Sequence, residues 1–233
     1  MAGGANKAFT SNLREFLSNN VLIVSLGGQN DIQDRYRAGA ALLVDVVKSP
    51  SMSGLTANGK KIPVYEVLKS AGAPSTHSHR FRAYYLPYRG NDLRTMRLDP
   101  ADHGNADADY FFTDSLNGCS FAAGPGVHPK VGHFNRTMGG QDGAAIDQNQ
   151  IDHDIQAQFA GGTQHRIQKT DYKNGAGDYA TVLGVKNGAQ WDFWVQIRTI
   201  TGMTQGKTNW KGVMVGQPGY IWQLLQGTPA LIP

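Results

Sequence analysis

"YFFTDSLNGCSFAAGPGVHPKVGHFN", Tyr110 to Asn135, is the stretch on which the reading of this chain turns. Its opening, within "ADYFFTDSL", is rich in aromatic residues and predicts a strand. Asn117-Gly118 then gives a turn signal. The stretch holds the only cysteine of the chain, Cys119, with Thr113 before it and His128 and His133 after it. A thiol reacts as its thiolate, which an unperturbed cysteine supplies sparingly at neutral pH. A catalytic cysteine therefore needs an imidazole within reach, a group that fixes the imidazole tautomer, and donors for an oxyanion. Gly118 permits a tight turn and the close approach of a substrate carbonyl, and "AAGPG" fits a loop lining a cleft. The competing reading is a small buried hydrophobe that happens to be a cysteine.

Outward from this stretch, strands predominate. "VLIVSLGG", Val21 to Gly28, predicts a buried strand ending at a Gly-Gly turn. "HRFRAYYLPYRG", His79 to Gly90, predicts a strand stopped by Pro87. "YATVLGV", "WDFWVQIRTI" and "GVMVG" read as strands, with turns at Asn187-Gly188 and near Gly202. Helical spacing appears in "AFTSNLREFLSNN", through Phe9, Leu13, Phe16 and Leu17, with Thr10 or Ser11 as N-cap. It appears again in Ala145 to Phe159, through Ile146, Ile151, Ile155 and Phe159. After the Asn58-Gly59 turn a short helix is expected from Val64 to Ser70. "RAGAALLVDVVKS", Arg37 to Ser49, fits a helix by its Ala and Leu content and a strand by "LLVDVV". No repeat is visible. The expected fold is one mixed α+β domain over 1–233, with strands in excess.

Composition narrows the function classes. The 233 residues include 29 glycines, and charged residues make up 17%. Low charge and abundant glycine favour short strands and tight turns over a helical bundle. The formal charge is +4 and the pI about 9.1. No run of five Lys/Arg occurs, so the mild basicity reads first as a solvated surface and second as a face for an acidic protein or nucleic acid. Nucleic acid is not the expected partner. A single cysteine forms no internal disulfide, which suits a reducing compartment. No secretory signal peptide is read at the start, and "VLIVSL" is too short to span a bilayer. A monomer without membrane association is expected.

Three segments together carry a family resemblance: "YYLPYRGNDLRTMRLDP", "FFTDSLNGCSFAAG" and "VGHFN". They resemble the Burkholderia lethal factor family of glutamine deamidase toxins, which shares a catalytic core with the cytotoxic necrotizing factors. The family signature is Leu-Ser-Gly-Cys followed by a histidine; this chain reads Leu116-Asn117-Gly118-Cys119. Weaker similarity extends to "NLREFL" and "QWDFWVQI". Residues 84–135 are the strongest part. The chain departs from the pattern at Asn117, where the family has Ser, and in a Cys-to-His spacing that differs slightly.

The resemblance implies an α/β sandwich like that of the cytotoxic necrotizing factors, of mixed, mainly antiparallel sheets with flanking helices. It also implies a bacterial toxin or effector, made in the bacterial cytoplasm and acting in the host cytosol, that converts a host-protein glutamine to glutamate. Cys119 would be the nucleophile and His133 its general base, with His128 as a rival. The Thr113 backbone carbonyl would hold one imidazole nitrogen. Gly118 and the Cys119 amide would form the oxyanion pocket, with Asn117 in the turn. No metal or organic cofactor is called for. The relative's target, a eukaryotic translation-initiation helicase, is the candidate substrate carried over. Alternatives stay open: another Cys-His hydrolase (protease, amidase or transglutaminase), a non-catalytic protein-binding module, and a basic nucleic-acid binder. His77 and His79 could chelate a metal on a strand, although no second ligand cluster is visible. Asp152 to Asp154 reads as a solvated helix face, and Asn135-Arg136-Thr137 as a glycosylation sequon. The tryptophans read as core or sheet face.

Overall fold

The computed structural model describes residues 3–26, 41–70, 79–88, 90–140, 145–204, 207–208, 214–216 and 219–233. "GGQND", His77, Trp210 and the first part of "RAGAALLVDVVKS" lie outside these residues. In chain order the helices are α1 (Gly3–Ser11), α2 (Leu13–Asn19), α3 (Gln148–Gln158) and α4 (Lys169–Tyr172). The strands are β1 (Val21–Val24), β2 (Leu42–Lys48), β3 (Ser53–Leu55), β4 (Lys61–Ile62), β5 (Val64–Lys69), β6 (Phe81–Leu86), β7 (Leu93–Arg97), β8 (Tyr110–Thr113) and β9 (Ser120–Ala123). They continue with β10 (Lys130–Phe134), β11 (His165–Ile167), β12 (Asp178–Asn187), β13 (Gln190–Thr204), β14 (Lys207–Thr208), β15 (Met214–Gly216), β16 (Gly219–Leu224) and β17 (Ala230–Leu231).

The fold is α+β, mostly sheet. A large sheet runs β1-β5-β2-β6-β8-β12-β13-β16-β3-β4, with β17 added on β13. A small sheet runs β11-β9-β10-β7. Pairing is mainly antiparallel; β1/β5, β6/β8 and β16/β3 are parallel. Strand alternation sorts the side chains into layers. Phe111, Tyr84 and Phe193 of the large sheet meet Phe121, Ala123 and Val131 of the small one in the main core. Their chain neighbours Phe112, Tyr85 and Ala83 point the other way, against Phe9, Phe16 and Leu17 of α1 and α2. Ala122 and Phe134 leave the small sheet outward to meet Ile151 and Ile155 of α3. The order is therefore helices, large sheet, small sheet, helix, which is sandwich-like.

The large sheet curls until its ends almost meet. Val21 and Val64 share a core with Trp222 and Leu224. The outer edge of β1 is met by side chains in place of a strand. Gln196 Oε1 accepts from Leu22 N at 2.8 Å, Thr181 Oγ1 donates to Leu22 O at 3.3 Å, and Gln196 Nε2 reaches Leu17 O and Asn20 O at 2.7 Å each. These bonds satisfy buried backbone groups that an open edge would leave bare.

Three expectations are corrected. The N-terminal helix is two helices, because Asn12 accepts from Glu15 N and caps α2, while Thr10 donates back to Asn6 O within α1. Val64 to Lys69 is strand β5, not helix. Val64 and Val67 stand three apart because β5 is buried on both faces, one valine in each core. "AAGPG" ends β9 at the far end of the β9–β10 hairpin from Cys119. There Gly124 and Gly126 line a cavity of about 120 Å³ with His165, Trp191 and Phe193. Leu42–Lys48 settles the second half of the ambiguous segment as strand. Trp191 and Trp222 are core residues. Among the described residues no helix is long and apolar enough to cross a membrane.

Candidate active site

Every residue of the site faces the space between the two sheets, at one end of it. On β8, Thr113 has the parity of Phe111 and closes the strand. On β6, Leu86 pairs with Thr113 and closes that strand too. On β10, His133 has the parity of Val131, and Asn135 follows just past the strand end. Cys119 precedes β9, where Phe134 pairs with Ser120 and His133 with Phe121. Cys119 and Asn135 thus stand opposite each other, with His133 diagonal to the cysteine on the same face. The large sheet supplies the threonine; the small sheet supplies the imidazole and positions the thiol.

Thr113 holds His133 through its side chain, where the main-chain carbonyl was expected. Thr113 Oγ1 lies 2.9 Å from Leu86 O and 2.8 Å from His133 Nδ1. A hydroxyl has one proton. Given to Leu86 O, that proton leaves Oγ1 to accept from Nδ1–H, so this donor arithmetic assigns the Nε2 lone pair as free. Nε2 is buried and has no hydrogen-bond partner. Burial holds the imidazole pKa down at about 3, so the ring rests neutral, with its lone pair on Nε2.

Cys119 is 2% exposed and His133 1%. Burial pushes the thiol pKa up, opposed by the hydrogen bond from the Asn135 side chain. Asn135 Nδ2 lies 3.1 Å from Sγ and 3.1 Å from the Tyr88 hydroxyl. The Tyr88 ring, 43% exposed, lies over His133 with centroids 5.5 Å apart. Thiol and imidazole therefore rest as a neutral pair beneath Tyr88. They do not hydrogen-bond to each other, since Nε2 has no partner.

The loop before the cysteine is clamped at each residue. Asp114 accepts from the Tyr85 hydroxyl and from Tyr88 N. Ser115 Oγ accepts from Arg198 at 2.7 Å, and Leu116 bridges to Ala180. Lys173 Nζ donates to Asn117 Oδ1. Tyr172 Oη accepts from Gly118 N at 2.7 Å and donates to Cys119 O at 2.8 Å. Gly118, expected in the oxyanion pocket, thus has its own amide already engaged by the Tyr172 hydroxyl. Gly118 itself has φ +96°, and a Cβ there would meet Ile146 Cγ1 at 2.9 Å. Asn117 is exposed, as a turn residue.

His128 sits on the far turn of the hairpin, its Nδ1 3.1 Å from Leu98 O, so the sheet does not bring it to Cys119. His79 lies at φ 70°, outside any strand. Among the described residues no group of three or more His, Cys, Asp or Glu could hold a metal ion. On α3, Asp152 keeps the expected solvated face with its side chain 41% exposed, whereas Asp154 is largely covered; Asp154 pairs with Arg136 and Asp152 with Arg166, both at 2.5 Å. Sequence reasoning missed Asn135 as a site residue, along with Tyr88, Asp114, Tyr172 and Lys173. Parity along "KVGHFN" carries the signal for Asn135, two residues after His133. Nothing local marks Tyr172 or Lys173, which arrive from α4 and its C-cap. No protein-family model matches the chain, and comparison with curated proteins gives no match.

Proposed function

We propose that this chain is a cysteine-dependent protein-glutamine deamidase of the bacterial toxin kind, with a fold like the cytotoxic necrotizing factor catalytic domain. The observation that carries the reading is His133: its Nδ1 is tied to Thr113, and its Nε2 lone pair is unpartnered on the inner face that also carries Cys119. A base that takes a thiol proton needs this tautomer.

The substrate carboxamide enters once Tyr88 moves aside. His133 Nε2 removes the thiol proton as Sγ attacks the carbonyl carbon, and the carbonyl π pair moves to oxygen. Return of the pair breaks the C–N bond, and the imidazolium gives its proton to the leaving ammonia. Water, deprotonated by the same nitrogen, then hydrolyses the thioester and frees glutamate. An amine in place of water would give transglutamination. The substrate is a host protein in the host cytosol, with the translation-initiation helicase as first candidate. Incubating host lysate with the protein tests the reading: Gln-to-Glu conversion without chain cleavage is expected from wild type and not from Cys119→Ser.

A second reading has one observation on its side. Cys119 and His133 are nearly fully buried, and the thiol pKa is raised, as for a packing cysteine in a protein-binding module. Such a module would keep its effect in Cys119→Ser.

A further inference from the structure

The hydrogen-bond donor that meets the reacting sulfur is not the Gly118 amide. It is the Asn135 side chain, with Nδ2 3.1 Å from Sγ. The amide orientation of Asn135 is fixed by its neighbours: Asn91 N can only donate, and it lies 3.3 Å from Oδ1. The atom facing the sulfur is therefore nitrogen. Its second proton goes to the Tyr88 hydroxyl. Asn135 is 4% exposed, so the donor is desolvated and preorganised, the condition under which such a group stabilises developing charge.

We propose that the Asn135 side-chain amide is a catalytic oxyanion donor of this site; the inference rests on the deamidase reading. When Sγ bonds to the carboxamide carbon, the oxygen that receives the π pair stands two bonds from the sulfur. A donor aimed at the sulfur in the resting enzyme then reaches that oxygen through a small shift. The thiol proton is on His133 Nε2 at this stage. The oxyanion returns its pair as the C–N bond breaks, and the proton leaves with ammonia. The Gly118 amide takes no part, because it stays on the Tyr172 hydroxyl, which also holds the Cys119 carbonyl. The same engagement makes Asn135 a poor glycosylation acceptor in the folded chain, despite its sequon.

The test measures ammonia release from benzyloxycarbonyl-Gln-Gly, and the pH profile of Cys119 alkylation by iodoacetamide, for wild type, Asn135→Ala and Asn135→Asp. The aspartate variant keeps the shape and loses the donor, so it serves if the alanine variant folds poorly. Each variant is expected to lose about 10²–10³-fold in kcat, with KM little changed and the apparent pKa of alkylation shifted upward. Active wild type beside variants with unchanged kcat overturns the donor assignment alone. An alkylation profile identical in all three overturns the contact with the thiolate. A wild type that neither releases ammonia nor deamidates lysate proteins overturns the deamidase reading, and the oxyanion role with it.

Discussion

At the scale of single residues, the site is a neutral thiol beside a neutral imidazole, and its pH behaviour follows from burial. His133 titrates near 3 when folded and near 6.5 when unfolded. Between these values the unfolded chain binds the extra proton, so stability rises with pH across the window and is lost as pH falls from about 6.5 toward 3. The slope reaches at most about 1.4 kcal/mol per pH unit. Urea unfolding of wild type should therefore steepen in its loss of stability below pH 6.5, and His133→Gln should flatten that loss. Equal acid sensitivity in the two proteins would place the effect elsewhere. Thr113→Val removes the hydroxyl while keeping the shape. It should lower kcat by about 10–100-fold, by analogy with the loss of an outer-shell group that orients a metal-bound histidine, and Thr113→Ser should restore it. Steady-state kinetics on the pair separates this role from simple packing, because valine packs where serine leaves space.

At the scale of elements, the loop from Asp114 to Cys119 is held by groups distant in sequence. Tyr172 is the tightest clamp, with one hydroxyl serving two backbone groups. Tyr172→Phe should cost about 1–3 kcal/mol, because Gly118 N and Cys119 O would be left buried without partners. It should also speed iodoacetamide alkylation of Cys119 by loosening the loop, measured against the urea midpoint of the same sample. Much of the element pattern was legible in the sequence. "YFFT" and "YATVLGV" announce strands by residue type, and Ile151 with Ile155 announces α3. What misled was burial on two faces: in β5, Val64 and Val67 point to opposite cores, and their spacing mimics a helix. The switch at Asn12 was obscured for a different reason. Its capping bond to Glu15 is local, but Thr10 and Ser11 offer the same chemistry two and one residues earlier. In the site, Cys119, His133 and Thr113 stood out by type. Choosing the Thr113 hydroxyl over its carbonyl required knowing that Leu86 lies alongside, which no spacing conveys.

At the scale of the whole molecule, the candidate site exists only because the two sheets face each other. Thr113 belongs to one and His133 to the other. The contact between the sheets runs through Phe121, which lies opposite His133 in the ladder and packs on Phe111 and Phe193 with centroids 5.9 and 5.3 Å apart. Phe121→Ala should cost about 3–5 kcal/mol and should also reduce kcat of the folded fraction, since it loosens the sheet pair that aligns the histidine. Ile155→Ala, on the inner face of α3 in the outer layer, should cost about 2–5 kcal/mol with kcat unchanged. Urea titrations and initial rates on both variants test this coupling; parallel losses of kcat would deny it.

The reaction itself is tested most directly by mass spectrometry of a host lysate treated with wild type or with Cys119→Ser, mapping every glutamine that becomes glutamate. The account predicts a small set of converted glutamines in intact host proteins with wild type and none with the serine variant. The same conversions from both proteins, or none from either, would contradict it.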